Sequence, residues 1–197
     1  VVVNLGSDIL TYGVKTLAAE SFINSWKNGS SDQIGTATEI ENITGTTYSD
    51  TIRGNDLSNT IIADTGDDYI FASLGEDNIS GGNHTVVNGT QGSGTSIAGG
   101  GDWIDYTLLT GLITGTNETF DGVSVNLGGG AGATGARFTY DTDLTAAVVA
   151  NADNQVFSGI ENVLGSNQND VIVGNASSNI LKGADGHDKI YGVGGSN

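Results

Sequence analysis

A nine-residue period constrains the fold of this chain more than any other feature. Cut at residues 45, 54, 63 and 72, the sequence gives GTTYSDTIR, GNDLSNTII, ADTGDDYIF and ASLGEDNIS. Cut at residues 165, 174 and 183, it gives GSNQNDVIV, GNASSNILK and GADGHDKIY. Every unit has Asp or Asn at its sixth position and Ile or Leu at its eighth. Such a short period predicts a solenoid, because each unit can bury its apolar residue only against neighbouring units.

The two fixed columns have a physical explanation. Positions seven to nine alternate as a short strand, so the eighth side chain points inward. The six preceding residues must turn sharply, which favours Gly where φ is positive. A turn of this kind directs backbone carbonyls and one carboxylate towards a common point. Calcium binds six to eight such oxygens, so the pattern is typical of a calcium site.

These units resemble the RTX (repeats-in-toxin), or hemolysin-type, repeat, whose calcium-binding nonapeptide is G-G-x-G-x-D-x-U-x with U a large apolar residue. The unit ADTGDDYIF matches at Gly66, Asp68 and Ile70. ASLGEDNIS and GADGHDKIY match at the equivalent positions. The resemblance implies an all-β fold, a parallel β-roll in which two units form one coil. Turns one coil apart would then stack and share calcium ions.

The resemblance also implies which residues bind the metal. Calcium is expected where Gly fills the fourth position and Asp the sixth, with the sixth-position Asp of a stacked turn as partner. The turns that carry Asn59 and Asn179 lack this Gly and are expected to be poor ligands. The predicted calcium ligands are Asp50, Gly66, Asp68, Gly75, Asp77, Gly100, Asp102, Asp170, Gly186 and Asp188.

Longer segments recur at a spacing close to that of the two repeat arrays. VVVNLG at residue 1 returns as VSVNLG at residue 123, and IEN at residue 40 returns at residue 160. This predicts a tandem duplication, with a first block over 1–122 and a second, truncated block over 123–197. No signal peptide is recognisable at the start, and the last residues lie inside a repeat, so a fragment of a longer protein is expected.

Three segments outside the repeats have their own predictions. Apolar residues at three- and four-residue steps predict an amphipathic helix over 12–27, either packed over an open end of the roll or facing a partner. Residues 129–154 are expected to be a loop with a short helix at 144–150. An insert near 84–98 interrupts the register. If it loops out, Asp102 stacks on Asp68 one coil away.

Composition and the absence of known motifs reduce the number of possible function classes. The net charge of -17 disfavours nucleic acid as a partner, and no apolar run is long enough for a membrane span. No catalytic motif is present, so the chain is not expected to be an enzyme. Cysteine is also absent, which fits a secreted protein stabilised by metal.

Three function classes stay open. The first is a calcium-binding structural module of a secreted or cell-surface bacterial protein, an RTX adhesin or surface-layer protein. The resemblance suggests that such a module is exported by type I secretion and folds on calcium outside the cell. The second is the non-catalytic RTX module of a secreted protease or lipase. The third is an adhesin module that binds a glycan or ice. The expected partners are calcium ions, with further copies of the same protein or a cell-surface glycan as additional candidates.

Overall fold

The computed structural model describes the backbone of residues 2–4, 10–12, 15–17, 21–23, 31–32, 41–83, 100–109, 122–128, 133–140, 147–149 and 155–194, and the side chains of 41–83, 100–109, 122–128 and 155–194. These residues form nineteen β-strands and no helix. In chain order they are β1 (Val2–Asn4), β2 (Leu10–Tyr12), β3 (Lys15–Leu17), β4 (Ser21–Ile23), β5 (Ser31–Asp32), β6 (Asn42–Thr44), β7 (Thr51–Arg53), β8 (Thr60–Ile62), β9 (Tyr69–Phe71), β10 (Asn78–Ser80), β11 (Trp103–Asp105), β12 (Gly122–Asn126), β13 (Ala133–Tyr140), β14 (Ala147–Val149), β15 (Gln155–Ser158), β16 (Asn162–Leu164), β17 (Val171–Val173), β18 (Ile180–Lys182) and β19 (Lys189–Tyr191).

The repeat units form a parallel β-roll, as predicted. Positions seven to nine of each unit are a three-residue strand. Strand β7 pairs in parallel with β9, which places Ile52 opposite Ile70. Strand β8 pairs in the same way with β10, which places Ile61 opposite Ile79. Successive units therefore alternate between two sheets, and two units make one coil.

The two repeat arrays lie in the same pair of sheets. The first sheet has the order β18-β16-β11-β9-β7-β1-β4-β5, and the second has the order β19-β17-β12-β13-β15-β10-β8-β6, with β14 on β13. Strands β2 and β3 pair separately as a hairpin. Parallel pairing of β11 with β16 and of β10 with β15 joins the first array to the residues that lead into the second. Backbone hydrogen bonding is thus continuous from one array to the other.

The core is a stack of the eighth-position side chains. Ile52, Ile70, Ile104 and Ile172 are fully buried, and Val163 takes the same place on β16. Burying one such side chain contributes about 1.5–3 kcal/mol, and the stack repeats this in every coil. Ile190 lies opposite Ile172 on β19, the last strand of the second sheet, and 44% of its surface is exposed.

Strand pairing repeats between the two sequence blocks. Strand β1 pairs in parallel with β7, with Val3 opposite Ile52. Strand β12 pairs in parallel with β17, with Val125 opposite Ile172. Each of these leading strands also has an antiparallel neighbour, β4 for β1 and β13 for β12. The pairs are related by the same sequence offset as the recurring segments, so the recurrence extends to three-dimensional structure.

The helix predicted over 12–27 is wrong. Strands β2, β3 and β4 occupy the described part of that segment, and β4 pairs with β1 at the edge of the first sheet. Spacing of three and four residues in a short apolar stretch does not distinguish a helix from short strands. Here an existing sheet edge offers partners for the backbone N–H and C=O groups, and this tertiary pairing overrides the local pattern.

The segment 129–154 also differs from its prediction. Strand β14 lies within the helix expected at 144–150, where β-branched Val148 and Val149 pair with β13, and β13 replaces part of the expected loop. The insert near 84–98 lies outside the described residues. Within the part of the chain that the structure describes, no helix has the length and hydropathy needed to cross a membrane.

Candidate metal centre

The turns of the roll form two edges with different side chains. We define the acidic edge as the four residues that precede successive strands of the first sheet: Asp50, Asp68, Asp102 and Glu161. We define the polar edge as three residues of the second sheet: Asn59 and Asp77, which precede β8 and β10, and Gln155, the first residue of β15, which lies level with Asp77. All seven side chains are buried. Over these coils, the two edges therefore carry chemically different side chains.

Hydrogen bonds connect the acidic edge from coil to coil. The Asp50 N–H donates to Asp68 Oδ1 at 2.7 Å, and the Asp68 N–H donates to Asp102 Oδ1 at 2.8 Å. The Asp102 N–H donates in turn to Glu161 Oε2 at 3.1 Å. Asp102 therefore stacks on Asp68, as the sequence predicted for a looped-out insert. Four buried carboxylates follow one another along this edge.

Asp68 has a carboxylate oxygen that the protein does not satisfy. Its Oδ2 atom is buried and accepts no hydrogen bond. In the stacked turn, by contrast, the Thr46 N–H and hydroxyl both donate to Asp50. Thr46 occupies the second position of its unit, where the unit of Asp68 has the exposed Asp64 with a φ of +80°. The turn around Asp68 thus lacks the side-chain donor that the neighbouring turn has.

The environment of Asp68 disfavours its charged form. The pKa of Asp68 is raised to about 7, mainly by burial; the hydrogen bond from the Asp50 N–H opposes this rise, and the charges of Asp50 and Asp67 contribute to it. A buried acceptor without a donor costs about 1–3 kcal/mol, and more when it is charged. A bound cation would remove both costs, since it would neutralise the carboxylate and take the place of the missing donor.

The turn that contains the insert is closed at its base. Gly81 precedes the insert, and a Cβ atom added to it would lie 2.5 Å from Asp102 Oδ2, which follows the insert. The Gly100 carbonyl accepts a hydrogen bond from Asn162 Nδ2 at 3.0 Å. Asp102 and Gly100 thus occupy a normal repeat position, and both contact the segment that leads into the second array.

Asp77, on the polar edge, is surrounded by hydrogen-bond donors. Its Oδ1 accepts from the Asn59 N–H at 2.9 Å, and its Oδ2 accepts from the Ser73 hydroxyl at 2.9 Å and from Gln155 Nε2 at 3.3 Å. Gly75 has a φ of +103°, and a Cβ on it would lie 2.6 Å from the Leu57 carbonyl oxygen. The turns therefore stack as the motif requires, but protein groups already satisfy the carboxylate.

Asp170 and Asp188 are the stacked pair of the second array. Asp170 is fully buried and accepts hydrogen bonds from the Ser166 N–H and hydroxyl, both at 2.7 Å, and from the Val123 N–H at 2.9 Å. The pKa of Asp170 is raised to about 6, mainly by burial; the hydrogen bonds from Ser166 and Val123 oppose this rise, and the charge of Asp188 contributes to it.

Asp188 is more accessible than Asp170. Its Oδ1 accepts from the Asp170 N–H at 3.0 Å, and the side chain is half-buried. Gly186 has a φ of +125° and packs against the Gln168 carbonyl of the stacked turn. The second position of this unit is Ala184, at a φ of +70°. The turn of Asp188 therefore resembles that of Asp68, since its second residue has positive φ and offers no hydroxyl.

Side chains alone do not complete a metal site in the part of the chain that the structure describes. There, no three His, Asp or Glu side chains converge as a metal-binding group. A calcium ion would therefore need backbone carbonyl oxygens of the turns in addition to carboxylates. Oxygen-only ligation of this kind suits calcium. The buried Asp68 carboxylate, with its unsatisfied oxygen, fits this requirement.

Sequence reasoning missed Glu161 and Gln155 as members of the two edges. Neither lies in a nonapeptide, yet Glu161 precedes β16 and Gln155 begins β15, and the strand register gives each the place of a sixth-position residue. A signal for Glu161 was available. IEN occurs in both blocks, and Asn42 of its first copy lies opposite Thr60, so Glu41 also precedes a strand of the roll. No comparable sequence signal identified Gln155.

Comparison with known families agrees with this geometry. The model for the RTX calcium-binding nonapeptide repeat (4 copies) matches residues 38–56, 53–83 and 164–197. The chain carries RTX calcium-binding repeats. Calcium is therefore the cofactor of these RTX repeats, as predicted, and the repeat itself is a non-catalytic structural unit. RTX repeats typically occur in secreted proteins. A comparison with curated proteins found no match to the chain.

Proposed function

We propose that this chain is a calcium-dependent structural module of a secreted or cell-surface bacterial protein, of the adhesin or surface-layer type. Calcium binds along the acidic edge, where Asp68 supplies the central carboxylate and Asp50 and Asp102 are its stacked partners. Carbonyls of the Gly66 and Gly100 turns provide further oxygens. The observation that carries this proposal is the buried Asp68 Oδ2 atom, which accepts no hydrogen bond.

A second site is proposed between Asp170 and Asp188, with the turn of Gly186. The two carboxylates belong to turns one coil apart, joined by the hydrogen bond from the Asp170 N–H to Asp188 Oδ1. Asp188 is the more accessible of the two, and Asp170 already accepts hydrogen bonds from Ser166 and Val123. We expect this site to bind calcium more weakly than the acidic edge.

The architecture supports a structural role. We propose that residues 1–122 and 123–197 are tandem copies of one block that pack into a single roll. The matching strand pairs β1–β7 and β12–β17 support the duplication, and the pairs β10–β15 and β11–β16 support the continuous roll. A block that adds to the end of its own roll suits a long extended protein better than an isolated accessory module.

Calcium binding is coupled to folding in this proposal. Buried like charges one coil apart repel each other, and at an effective dielectric constant of about 20 the repulsion amounts to roughly 4 kcal/mol at 4 Å. A cation between the turns replaces repulsion with attraction and so stabilises the native state by mass action. Such a module would stay unfolded where calcium is scarce and fold outside the cell, as type I secretion would require.

Circular dichroism of the full chain during calcium titration tests the proposal. We expect a coil spectrum in chelator and a β spectrum at millimolar calcium. Magnesium should substitute poorly, because it requires stricter octahedral geometry. Asp68→Ala should shift the calcium midpoint upward by about tenfold or more. Asp56→Ala is the matched control, since Asp56 is exposed and belongs to a turn without the motif glycine. A β spectrum that persists in excess chelator would refute the coupling.

A further inference from the structure

The Gly75–Asp77 turn matches the calcium motif but lies in a buried polar cluster. Tyr106 donates its hydroxyl to Gln155 Oε1 at 3.1 Å. Gln155 Nε2 donates to the Ser73 carbonyl at 2.8 Å and to Asp77 Oδ2 at 3.3 Å. The Ser73 hydroxyl reaches the same Asp77 oxygen at 2.9 Å, and the Asn59 N–H donates to the other one. These groups form one network of hydrogen bonds.

Every side chain of the network is at least 98% buried. Only 1% of the surface of Tyr106 and of Ser73 is exposed to solvent, and only 2% of the surface of Asp77 and of Gln155. Burial also raises the pKa of the Tyr106 hydroxyl above its usual value, and the charge of Asp77 adds to the rise, so the hydroxyl keeps the proton that it donates. Buried and satisfied polar networks of this kind fix one arrangement of their elements.

The network joins three separate parts of the chain. Asp77 and Ser73 belong to the first repeat array, Tyr106 follows β11, and Gln155 begins β15. Backbone pairing reinforces the contact, because the Val156 N–H donates to the Asp77 carbonyl at 2.9 Å. This is where the last coil of the first array meets the residues that lead into the second array.

We infer that Asp77 does not bind calcium, and that the network of Tyr106, Gln155, Ser73 and Asp77 is a metal-independent clasp that holds the first array against the following coil. A cation at Asp77 would have to displace the Gln155 amide and the Ser73 hydroxyl from Oδ2, and the buried amide would lose its acceptor. At Asp68 Oδ2 a cation would displace no hydrogen-bond donor. This inference rests on the proposed calcium sites of the acidic edge, from which it excludes one candidate turn.

The test uses the full chain at saturating calcium and compares Tyr106→Phe, Gln155→Leu and Asp77→Asn. Calcium per chain is measured by equilibrium dialysis, and melting temperature by circular dichroism. Each variant should bind as many calcium ions as the parent chain and melt about 3 °C or more below it, the shift typical of losing one good buried interaction in a chain of this size. Tyr48→Phe is the matched control, because Tyr48 is 60% exposed, and it should melt like the parent.

The double variant Tyr106→Phe with Asp77→Asn should melt higher than the sum of the two single shifts predicts, since both substitutions break one network. Loss of one calcium ion in Asp77→Asn would overturn the inference. So would an unchanged or raised melting temperature in Gln155→Leu, which also decides the matter if Asp77→Asn does not fold. Asp68→Asn tests the acidic edge separately. If it binds the full number of calcium ions, the proposed site fails while the clasp stands.

Discussion

The turns 63–68 and 72–77 are neighbours in sequence, ADTGDD and ASLGED, and both carry the motif Gly and Asp. Their carboxylates nevertheless have opposite surroundings. Asp77 accepts hydrogen bonds from Ser73, Gln155 and the Asn59 N–H, whereas Asp68 retains a buried oxygen that accepts none. The motif thus determines the shape of the turn. The second residue of the unit and the neighbouring coil determine how many hydrogen bonds its carboxylate accepts, and therefore whether we expect it to be available to a metal.

Substituting the motif glycine of either turn has the largest expected effect. Ala at Gly75 would combine a φ of +103° with a Cβ 2.6 Å from the Leu57 carbonyl oxygen, and Ala at Gly66 would lie 2.8 Å from the Ser49 nitrogen. We expect each substitution to lower the free energy of unfolding by about 3 kcal/mol, measured by denaturant titration in calcium.

Gly194→Ala is the control, because its Cβ would meet nothing closer than 3.5 Å. The two turns should differ in one further respect. Gly66→Ala should also weaken calcium binding, and Gly75→Ala should not. Equal loss of calcium affinity in both variants would remove the distinction between the turns.

The next largest effect is the pH dependence of the calcium-free chain, which tests the Asp68 carboxylate. The folded-state pKa of Asp68 is raised to about 7, so the folded state binds more protons than the unfolded state, and stability without calcium should rise as the pH falls from about 7 to about 4. One such group contributes at most about 1.4 kcal/mol per pH unit. Asp170 acts in the same direction through its raised pKa of about 6.

The measurement is the β signal by circular dichroism in calcium-free buffer between pH 5 and pH 8, which should grow as the pH falls. Asp68→Asn should flatten the dependence. With calcium present the trend should reverse, since protons then compete with the ion for the carboxylates. Calcium-free stability that increases from pH 5 to pH 7 would contradict the role given to Asp68.

Removal of the hydroxyl at the second position gives the smallest effect. Ser73→Ala deletes the donor to Asp77 Oδ2 and should cost about 1 kcal/mol of unfolding free energy at saturating calcium. Ser58→Ala, at an exposed position of the preceding turn, is the control and should be neutral. A rise in calcium affinity in Ser73→Ala would show that the hydroxyl only masks a functional metal site.

Much of the roll could be predicted from sequence because its pairing is periodic. Ile52 and Ile70 lie opposite each other since both follow the same local turn, and the stacking of Asp102 on Asp68 followed from restoring the register after the insert. The strands over 10–23 could not be predicted in this way. Strand β4 depends on an edge provided by β1, and such pairing leaves no periodic signal in the local sequence.

The candidate site could likewise be predicted only in part. The period identified Asp50, Asp68 and Asp77 as equivalent. Turns eighteen residues apart do stack as expected, Asp50 on Asp68 and Asn59 on Asp77. It could not show that Gln155 reaches Asp77, because these residues meet only through the pairing of β10 with β15. Nor could it show that Asp64 adopts positive φ and leaves Asp68 without the hydroxyl donor that Ser73 gives Asp77. The motif alone therefore does not show which of its carboxylates the protein itself already satisfies.

Anomalous X-ray scattering from crystals grown with calcium tests the central claim most directly, because it locates each ion against named carboxylates. We predict an anomalous peak within bonding distance, about 2.3–2.6 Å, of an Asp68 carboxylate oxygen, and no peak at that distance from Asp77. A peak bound by Asp77, or the absence of any peak at Asp68 in calcium-saturated crystals, would contradict the account.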